Sequence, residues 1–200
     1  CSHLYLAIEG KLAAVICVED PLREEAADAV RELKEAGITK VVMMTGDSER
    51  TAAAIAKRVG VDEYYSEVLP EDKASFVEKE KELGHKVIMI GDGINDSLAL
   101  SSASVGIAIS DGAAIAREIA DVTISADNLH EIVTLKRLST ALMKRIHNNY
   151  RTIIGINGGL IALGVTGIIM PTTSALLHNM STLTISLRSM RNLLPKEEEA

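Results

Sequence analysis

The chain has few aromatic residues and few cysteines, and each shortage excludes a class of protein. Among 200 residues there is no tryptophan, one phenylalanine and two cysteines. The formal net charge is −7, and no arginine-rich stripe with interleaved aromatic residues is present, which argues against a nucleic-acid partner. Cys1 and Cys17 have neither Cys-x-x-Cys spacing nor a secretory context, so a reducing cytoplasmic environment fits best.

Charged residues are also missing from one long stretch, residues 153–187, whereas apolar and charged segments alternate before about residue 127. In water, a stretch of this length without charge would expose a long apolar surface. We therefore expect a soluble domain with a connecting helix over 1–147, two transmembrane helices over 148–194 and a cytoplasmic tail over 195–200. The chain begins with cysteine and carries no signal peptide, so we expect it to be the C-terminal part of a longer protein.

The apolar region is predicted to form a helical hairpin in the membrane. Residues 150–170 and 172–193 each approximate the length that crosses hydrocarbon, and Met170-Pro171 is the break between them. An amphipathic helix over 127–149 would lead to the bilayer. Basic residues precede the first span and end the second, so both ends should be cytoplasmic; they are Lys144, Arg145, Arg151, Arg188, Arg191 and Lys196.

The region before residue 127 alternates between strand-like and helical segments. Continuously apolar strands are typical of sheets that are covered on both faces. The pattern predicts a doubly wound α/β domain with a mostly parallel sheet. The predicted strands are 4–8, 12–18, 41–45, 87–90, 104–109 and 122–124, and the predicted helices are 22–36, 48–58, 71–83, 94–101 and 112–120.

The most informative motif is Gly91-Asp92-Gly93-Ile94-Asn95-Asp96, which follows one of these strands. Two carboxylates and an amide lie on a turn whose glycines let phosphate or metal approach the backbone. Asp92 and Asp96 are thus candidates for ligating Mg²⁺. Alternatively, Asp92 is a turn residue and Asp96 caps a helix, although Asn95 adds a polar group beyond what capping requires.

Two further segments become informative in combination. Thr45-Gly46-Asp47-Ser48 links a strand to a helix, so its N–H groups and the Thr45 hydroxyl are placed to hold a phosphoryl oxygen. Taken by itself, the segment is more commonly explained by structural turn chemistry. Lys73 lies in the first turn of a predicted helix, where the helix dipole disfavours a cation. That placement makes sense if the side chain reaches an anion, while an exposed surface lysine is the common alternative.

In this order, Thr45-Gly46-Asp47, Pro70-Glu71-Asp72-Lys73 and the 91–96 motif resemble the P-type ATPases, whose phosphorylation domain belongs to the haloacid dehalogenase superfamily. The Asp20-Pro21-Leu22-Arg23 stretch and the terminal hairpin are also similar, so the resemblance covers essentially the whole chain. It implies that ATP phosphorylates an aspartate in an Asp-Lys-Thr-Gly-Thr motif while ions cross the plasma membrane.

The resemblance also implies roles for single residues. Asp92 would ligate Mg²⁺, and Asn95 and Asp96 would order the loop and the phosphate. Lys73 would neutralise charge on the phosphoryl group, Thr45 and Gly46 would bind its oxygens, and Asp47 would orient the loop or the nucleotide. The sequence departs from the family because it has no Asp-Lys-Thr-Gly-Thr motif, so we expect no phosphoenzyme from this chain alone.

Two spans after the phosphorylation domain look like the heavy-metal-transporting subfamily. In the second span, His178, Ser181 and Thr182 share a helix face beside Asn179, and polar groups at that depth are costly unless partnered. They are candidates for binding the transported ion, with hydrogen bonding between helices as the alternative. Imidazole and oxygen ligands suit Zn²⁺, Cd²⁺, Co²⁺, Ni²⁺, Fe²⁺ or Mn²⁺ better than Cu⁺, although Met180 keeps copper open.

Two other functions are alternatives to this interpretation. A membrane-anchored phosphatase of the same superfamily would need its own Asp-x-Asp motif, and the sequence has none. A truncated, non-catalytic membrane subunit would act by modulating a full-length transporter.

Overall fold

A computed structural model describes residues 2–18, 22–91, 95–109, 118–124 and 128–193. The chain divides into two compact units, Cys1–Val133 and Thr134–Ala200, which are taken in turn.

The first unit begins with an antiparallel hairpin of β1 (Ser2–Ile8) and β2 (Lys11–Val18). Glu9 and Gly10 form its two-residue turn with φ of 51° and 75°, the left-handed values that tight hairpins require. We predicted both strands within a covered, mostly parallel sheet, and this is wrong for the pair. Among the described residues they bond to no other strand, and apolar side chains such as Tyr5 and Leu12 are more than 60% exposed.

The remaining strands form two parallel sheets. One pairs β3 (Val42–Met44) with β4 (Glu63–Tyr65), and the other has the order β5 (Ile88–Gly91), β6 (Val105–Ile109), β7 (Val122–Ile124). The predicted parallel α/β architecture is present, but these strands form two sheets and not the one sheet that was predicted. Among the described residues no strand bonds to both β3 and β5, so the two sheets stay separate.

Four helices of the first unit match predicted segments to within a few residues: α1 (Ala26–Glu35), α2 (Glu49–Val59), α3 (Pro70–Glu82) and α4 (Ser97–Ser102). Gly60 ends α2 in the left-handed conformation that favours glycine at this position. The predicted helix 112–120 lies mostly outside the described residues.

Small side chains dominate the core of the first unit, as expected for a chain with so few aromatic residues. Ala74 and Val77 on α3 pack with Ala99 on α4, and Met89 of β5 and Val87 lie against this cluster. Alanines let the two helices approach closely, which holds the first turn of α3 near the start of α4. This packing positions the side chains considered next.

The second unit consists of most of α5 (His130–Val165), together with α6 (Pro171–Ser189). The predicted amphipathic helix and first span are therefore one continuous helix. The break falls where it was predicted, just before Pro171, and includes Gly167 at φ 72°. Within the described ranges, no helix combines the length and the apolar character needed to cross a membrane. The membrane hairpin therefore stays a prediction.

Candidate functional site

Lys73 and Asp96 form the central contact of the candidate site. Lys73 Nζ donates to Asp96 Oδ1 over 2.6 Å, and their side chains are only 15% and 12% exposed. An ammonium–carboxylate hydrogen bond of this length is charge-assisted and strengthened by partial burial. The cation in the first turn of α3, unfavourable for the helix dipole, therefore has an anionic partner.

Asp96 occupies the N-cap position of α4 but does not use its side chain as a cap. Its backbone carbonyl accepts from Leu100 N over 2.8 Å, whereas no side-chain capping hydrogen bond is formed. The carboxylate points instead to Lys73. The alternative that Asp96 is merely a capping residue accounts for its backbone position and leaves its side chain unexplained.

Gly91 ends β5 directly against this carboxylate. A Cβ at Gly91 would lie 2.5 Å from Asp96 Oδ2 and 2.7 Å from its Cβ, closer than real contacts allow. Glycine is thus required here by close approach, because any side chain would push Asp96 away from Lys73.

Part of the predicted magnesium site lies outside the described residues, namely Asp92 with Gly93 and Ile94. Asn95 is described and exposed. In the part of the chain that can be described, no group of three or more His, Cys, Asp or Glu residues is placed to hold a metal. Asp96 supplies a carboxylate, the type of ligand that Mg²⁺ prefers. Its Oδ1 accepts from Lys73, whereas its Oδ2 faces Gly91 and receives no hydrogen bond from a described residue.

The Thr45 loop makes its own compact turn. Thr45 Oγ1 donates to Asp47 Oδ2 over 2.7 Å, and Asp47 N donates to Thr45 Oγ1 over 3.1 Å. A Cβ at Gly46 would meet only Val68 O, at an ordinary 3.9 Å. Among the described residues, none of these three bonds to Lys73 or Asp96 by a side chain. Thr45 and Asp47 thus have the structural roles of a polar turn, with Gly46 exposed between them.

Backbone hydrogen bonds connect this turn to the segment that leads into α3. Thr45 N donates to Tyr65 O, Val68 N to Thr45 O, and Glu67 N to Asp47 O, over 2.9–3.0 Å. Glu67 adopts φ 53°, a left-handed conformation that this double connection stabilises. The Thr45 turn and the start of the Lys73 helix are therefore held together, a link that the sequence did not predict because β4 was not recognised.

Two carboxylates beside the sheet of β3 and β4 make hydrogen bonds that stabilise the region around the Thr45 turn. Asp62 accepts from Lys34 Nζ over 2.7 Å and from Val41 N over 2.8 Å, and these bonds, Lys34 first, lower the pKa of its carboxyl. Glu49 at the start of α2 accepts from Ser66 and Tyr64, which lowers the pKa of Glu49 in the same way. Both carboxylates are favoured in their ionised forms.

In the second unit, His178 has a partner that we did not predict. His178 Nδ1 and Asn157 Oδ1 lie 2.8 Å apart, which joins α6 to α5. The hydroxyls of Ser181 and Thr182 donate to the carbonyl of His178 over 2.8 and 3.1 Å, as helical Ser and Thr commonly do. Asn179 is exposed beside them and makes no hydrogen bond to a described residue. Asn157 had one signal in the sequence, its position as an amide within an uncharged apolar stretch.

Comparison with known protein families identifies the first unit. The model of the haloacid dehalogenase-like hydrolases matches residues 3–104, about half of the chain.

Known relatives extend the similarity through both units. The chain is 37% identical to the zinc-exporting P-type ATPase of Mycobacterium marinum over 94% of its own length, and 44% identical to copper-transporting ATPase 2 of Rhizobium meliloti over 88%. It spans 26% and 21% of those proteins. A crystal structure of a zinc-transporting PIB-type ATPase in the E2.Pi state superposes with a TM-score of 0.84 at 32% identity, over 96% of this chain and 31% of that one.

Proposed function

The chain belongs to the haloacid dehalogenase-like hydrolase family, and from its relatives we propose that it works within an ATP-driven heavy-metal exporter. It spans about a quarter of the length of these relatives, so the phosphorylated aspartate would lie on a segment outside this sequence. The proposed reaction is phosphoryl transfer from ATP to that aspartate, followed by hydrolysis of the acyl phosphate while a metal ion crosses the membrane.

The observation that carries this proposal is the partly buried pair of Lys73 and Asp96 beside Gly91. Phosphoryl transfer spreads negative charge over the oxygens of the transferred group, and a preorganised cation stabilises it. Lys73, held in place by Asp96 and by helix packing, supplies such a cation. The Gly46 N–H is proposed to bind a phosphoryl oxygen. Thr45 is proposed to bind one through its hydroxyl, which would exchange its hydrogen bond to Asp47 for one to the phosphoryl group, and Asp47 is proposed to orient the turn.

Magnesium would be held by Asp96 and Asp92, with Asn95 ordering the loop. When bound, Mg²⁺ neutralises charge on the phosphoryl oxygens. Asp96 offers one oxygen to Lys73 and keeps the other without a described donor, which supports a shared role in fixing the cation and the metal.

The cargo proposed for the complete protein is a divalent transition metal. The relatives include a zinc exporter and a copper transporter, so their names leave the ion open. The site is proposed at His178, Asn179, Ser181 and Thr182, whose imidazole nitrogen and oxygens suit Zn²⁺, Cd²⁺, Co²⁺, Ni²⁺, Fe²⁺ or Mn²⁺ more than Cu⁺. The hairpin of α5 and α6 is proposed to lie in the plasma membrane, with the first unit in the cytoplasm.

The test is metal-stimulated ATP hydrolysis by the complete protein reconstituted in lipid vesicles. We expect at least one of these divalent ions to stimulate hydrolysis and to accumulate in inside-out vesicles. This chain alone should take no acid-stable label from radiolabelled ATP. Stimulation by none of the ions, Cu⁺ included, would contradict the proposal.

A further inference from the structure

We propose that Asn157 is a positioning residue that selects the tautomer and orientation of the neutral His178 ring, so that Nε2 is the nitrogen presented to a metal ion. This inference rests on the proposed transport site and adds to it a residue on the other helix of the hairpin. It starts from one contact, the 2.8 Å separation of Asn157 Oδ1 and His178 Nδ1.

The chemistry of the two atoms determines where the proton lies. With the amide oxygen of Asn157 facing the ring, Nδ1 of His178 is the donor and carries the proton, because an amide oxygen can only accept a hydrogen bond. A neutral imidazole has one ring proton, which leaves a lone pair on Nε2. Metal-binding histidines are commonly arranged in this way, with the second nitrogen donating to an oxygen that orients the ring.

The surroundings of His178 leave Nε2 available. No described residue bonds to Nε2, and the ring lies beside an open cleft that Asn157, Ser174 and Asn179 also line. The hydroxyls of Ser181 and Thr182 donate their hydrogen bonds to the His178 carbonyl, so their oxygens can still act as acceptors or metal ligands. No Asp, Glu, Lys or Arg occurs between residues 152 and 187, so no charged side chain from that stretch competes with Asn157 for Nδ1–H.

A hydrogen bond that only joined the two helices would not require Nδ1 to be the donor, and it would not require the ring to lie beside an open cleft. The same pair of helices has one elsewhere, because Asn149 Nδ2 donates to Ser189 Oγ over 2.7 Å. That bond joins α5 to α6 without involving an imidazole, so it provides a matched control for the loss of an interhelical hydrogen bond.

The first test is nitrogen NMR of the purified chain in detergent, with isotope-labelled histidine. The chain has five histidines, and a His178→Gln spectrum assigns the resonances of interest. We expect Nδ1 of His178 to be protonated and Nε2 bare in the wild type, with the proton moving toward Nε2 in Asn157→Leu. Asn157→Asp keeps an oxygen acceptor and should keep Nδ1 protonated, and Asn149→Leu should not alter the wild-type pattern.

The second test uses the complete protein and separates affinity from turnover. Asn157→Leu should raise the Zn²⁺ concentration for half-maximal ATP hydrolysis by about 10–100-fold, with little change in the maximal rate, because partners of ligating histidines have effects of this size on affinity. Asn149→Leu should leave that concentration unchanged. Circular dichroism of each variant establishes that the helices are intact.

The outcomes separate this inference from the function on which it rests. A wild-type His178 protonated on Nε2, or a ring unaffected by Asn157→Leu, overturns the inference even if metal export is found. If Nδ1 of His178 is protonated in the wild type but Asn157→Leu leaves the half-maximal Zn²⁺ concentration unchanged, the role of Asn157 in metal binding is overturned. Absence of metal-stimulated hydrolysis in the wild type overturns the proposed function while the ring protonation still stands.

Discussion

Lys73 and Asp96 are 23 positions apart in the sequence, yet their Nζ and Oδ1 atoms lie 2.6 Å apart between two packed helices. Each has lost most of its contact with water, so each depends on the other for solvation. Loss of either partner would therefore leave an unpaired, mostly buried charge, and the pair places a cation beside the carboxylate at the end of β5.

The first prediction concerns the energy of this pair. Lys73→Met should lower the free energy of unfolding by about 3 kcal/mol, because it leaves a mostly buried carboxylate unpaired. In the double variant with Asp96→Asn the loss should be less than additive, with a coupling of about 1–3 kcal/mol in a denaturant double-mutant cycle. Lys79→Met, at an exposed position on the same helix, serves as the control. Additive losses at positions 73 and 96 would contradict the pairing.

The second prediction separates the close approach at Gly91 from general strain. Gly91→Ala places a Cβ 2.5 Å from Asp96 Oδ2, and Gly106→Ala places one 2.6 Å from the Leu100 carbonyl. Each should destabilise the fold by about 1–3 kcal/mol through overpacking. At equal folded fraction in the complete protein, Gly91→Ala should reduce ATP hydrolysis more than Gly106→Ala does, since its Cβ presses directly on the Asp96 carboxylate. Equal loss of activity in both variants would show that Gly91 has no special relation to the site.

The third prediction concerns acid unfolding. Hydrogen bonds from Lys34 and Val41 lower the pKa of Asp62 in the folded protein. Its stabilising contribution is therefore fully present above the unfolded pKa of about 3.9 and is lost as the pH falls through the lower folded value. Asp62→Asn should reduce stability at neutral pH and flatten the decline below about pH 4. Parallel curves of unfolding free energy against pH for the two proteins would contradict this.

The fourth prediction concerns the end of α6. Arg145 on α5 donates to the carbonyls of Ser189 over 2.9 Å and Asn192 over 3.2 Å, and also to that of Arg191. A guanidinium can reach several terminal carbonyls at once, whereas a lysine ammonium on its flexible chain cannot hold the same fork. Arg145→Lys should therefore speed hydrogen exchange of the amides from residue 188 to 192, and Lys144→Arg should not. Unchanged exchange in Arg145→Lys would show that the clamp is absent in solution.

Local chemistry in the sequence predicted several parts of the fold and the site. The Thr45-Gly46-Asp47 sequence after an apolar strand marked a turn. The dipole argument predicted that Lys73 reaches an anion, and in the structure Lys73 contacts the Asp96 carboxylate. The break before Pro171 was predicted because proline begins a helix more readily than it continues one. These features depend on neighbouring residues, which a pattern can reveal.

The features that escaped prediction depend on residues distant in the chain. β4 has only three residues, Glu63–Tyr65, and its strand character comes from pairing with β3. The antiparallel hairpin had a weak signal in Glu9-Gly10, since a two-residue turn needs both residues at positive φ. The contact between Asn157 and His178 spans a helix break, so helical spacing within either segment could not have shown it.

The most direct test of the account is the phosphoenzyme of the complete protein, formed from radiolabelled ATP in the presence of the transported metal. Lys73→Met should slow turnover of the acid-stable phosphoenzyme by about 100-fold, as expected when a preorganised charge-stabilising group is removed. Lys79→Met should behave as the wild type does. Wild-type turnover in Lys73→Met, with the protein shown to be folded, would contradict the claim that the Lys73 and Asp96 pair serves phosphoryl transfer.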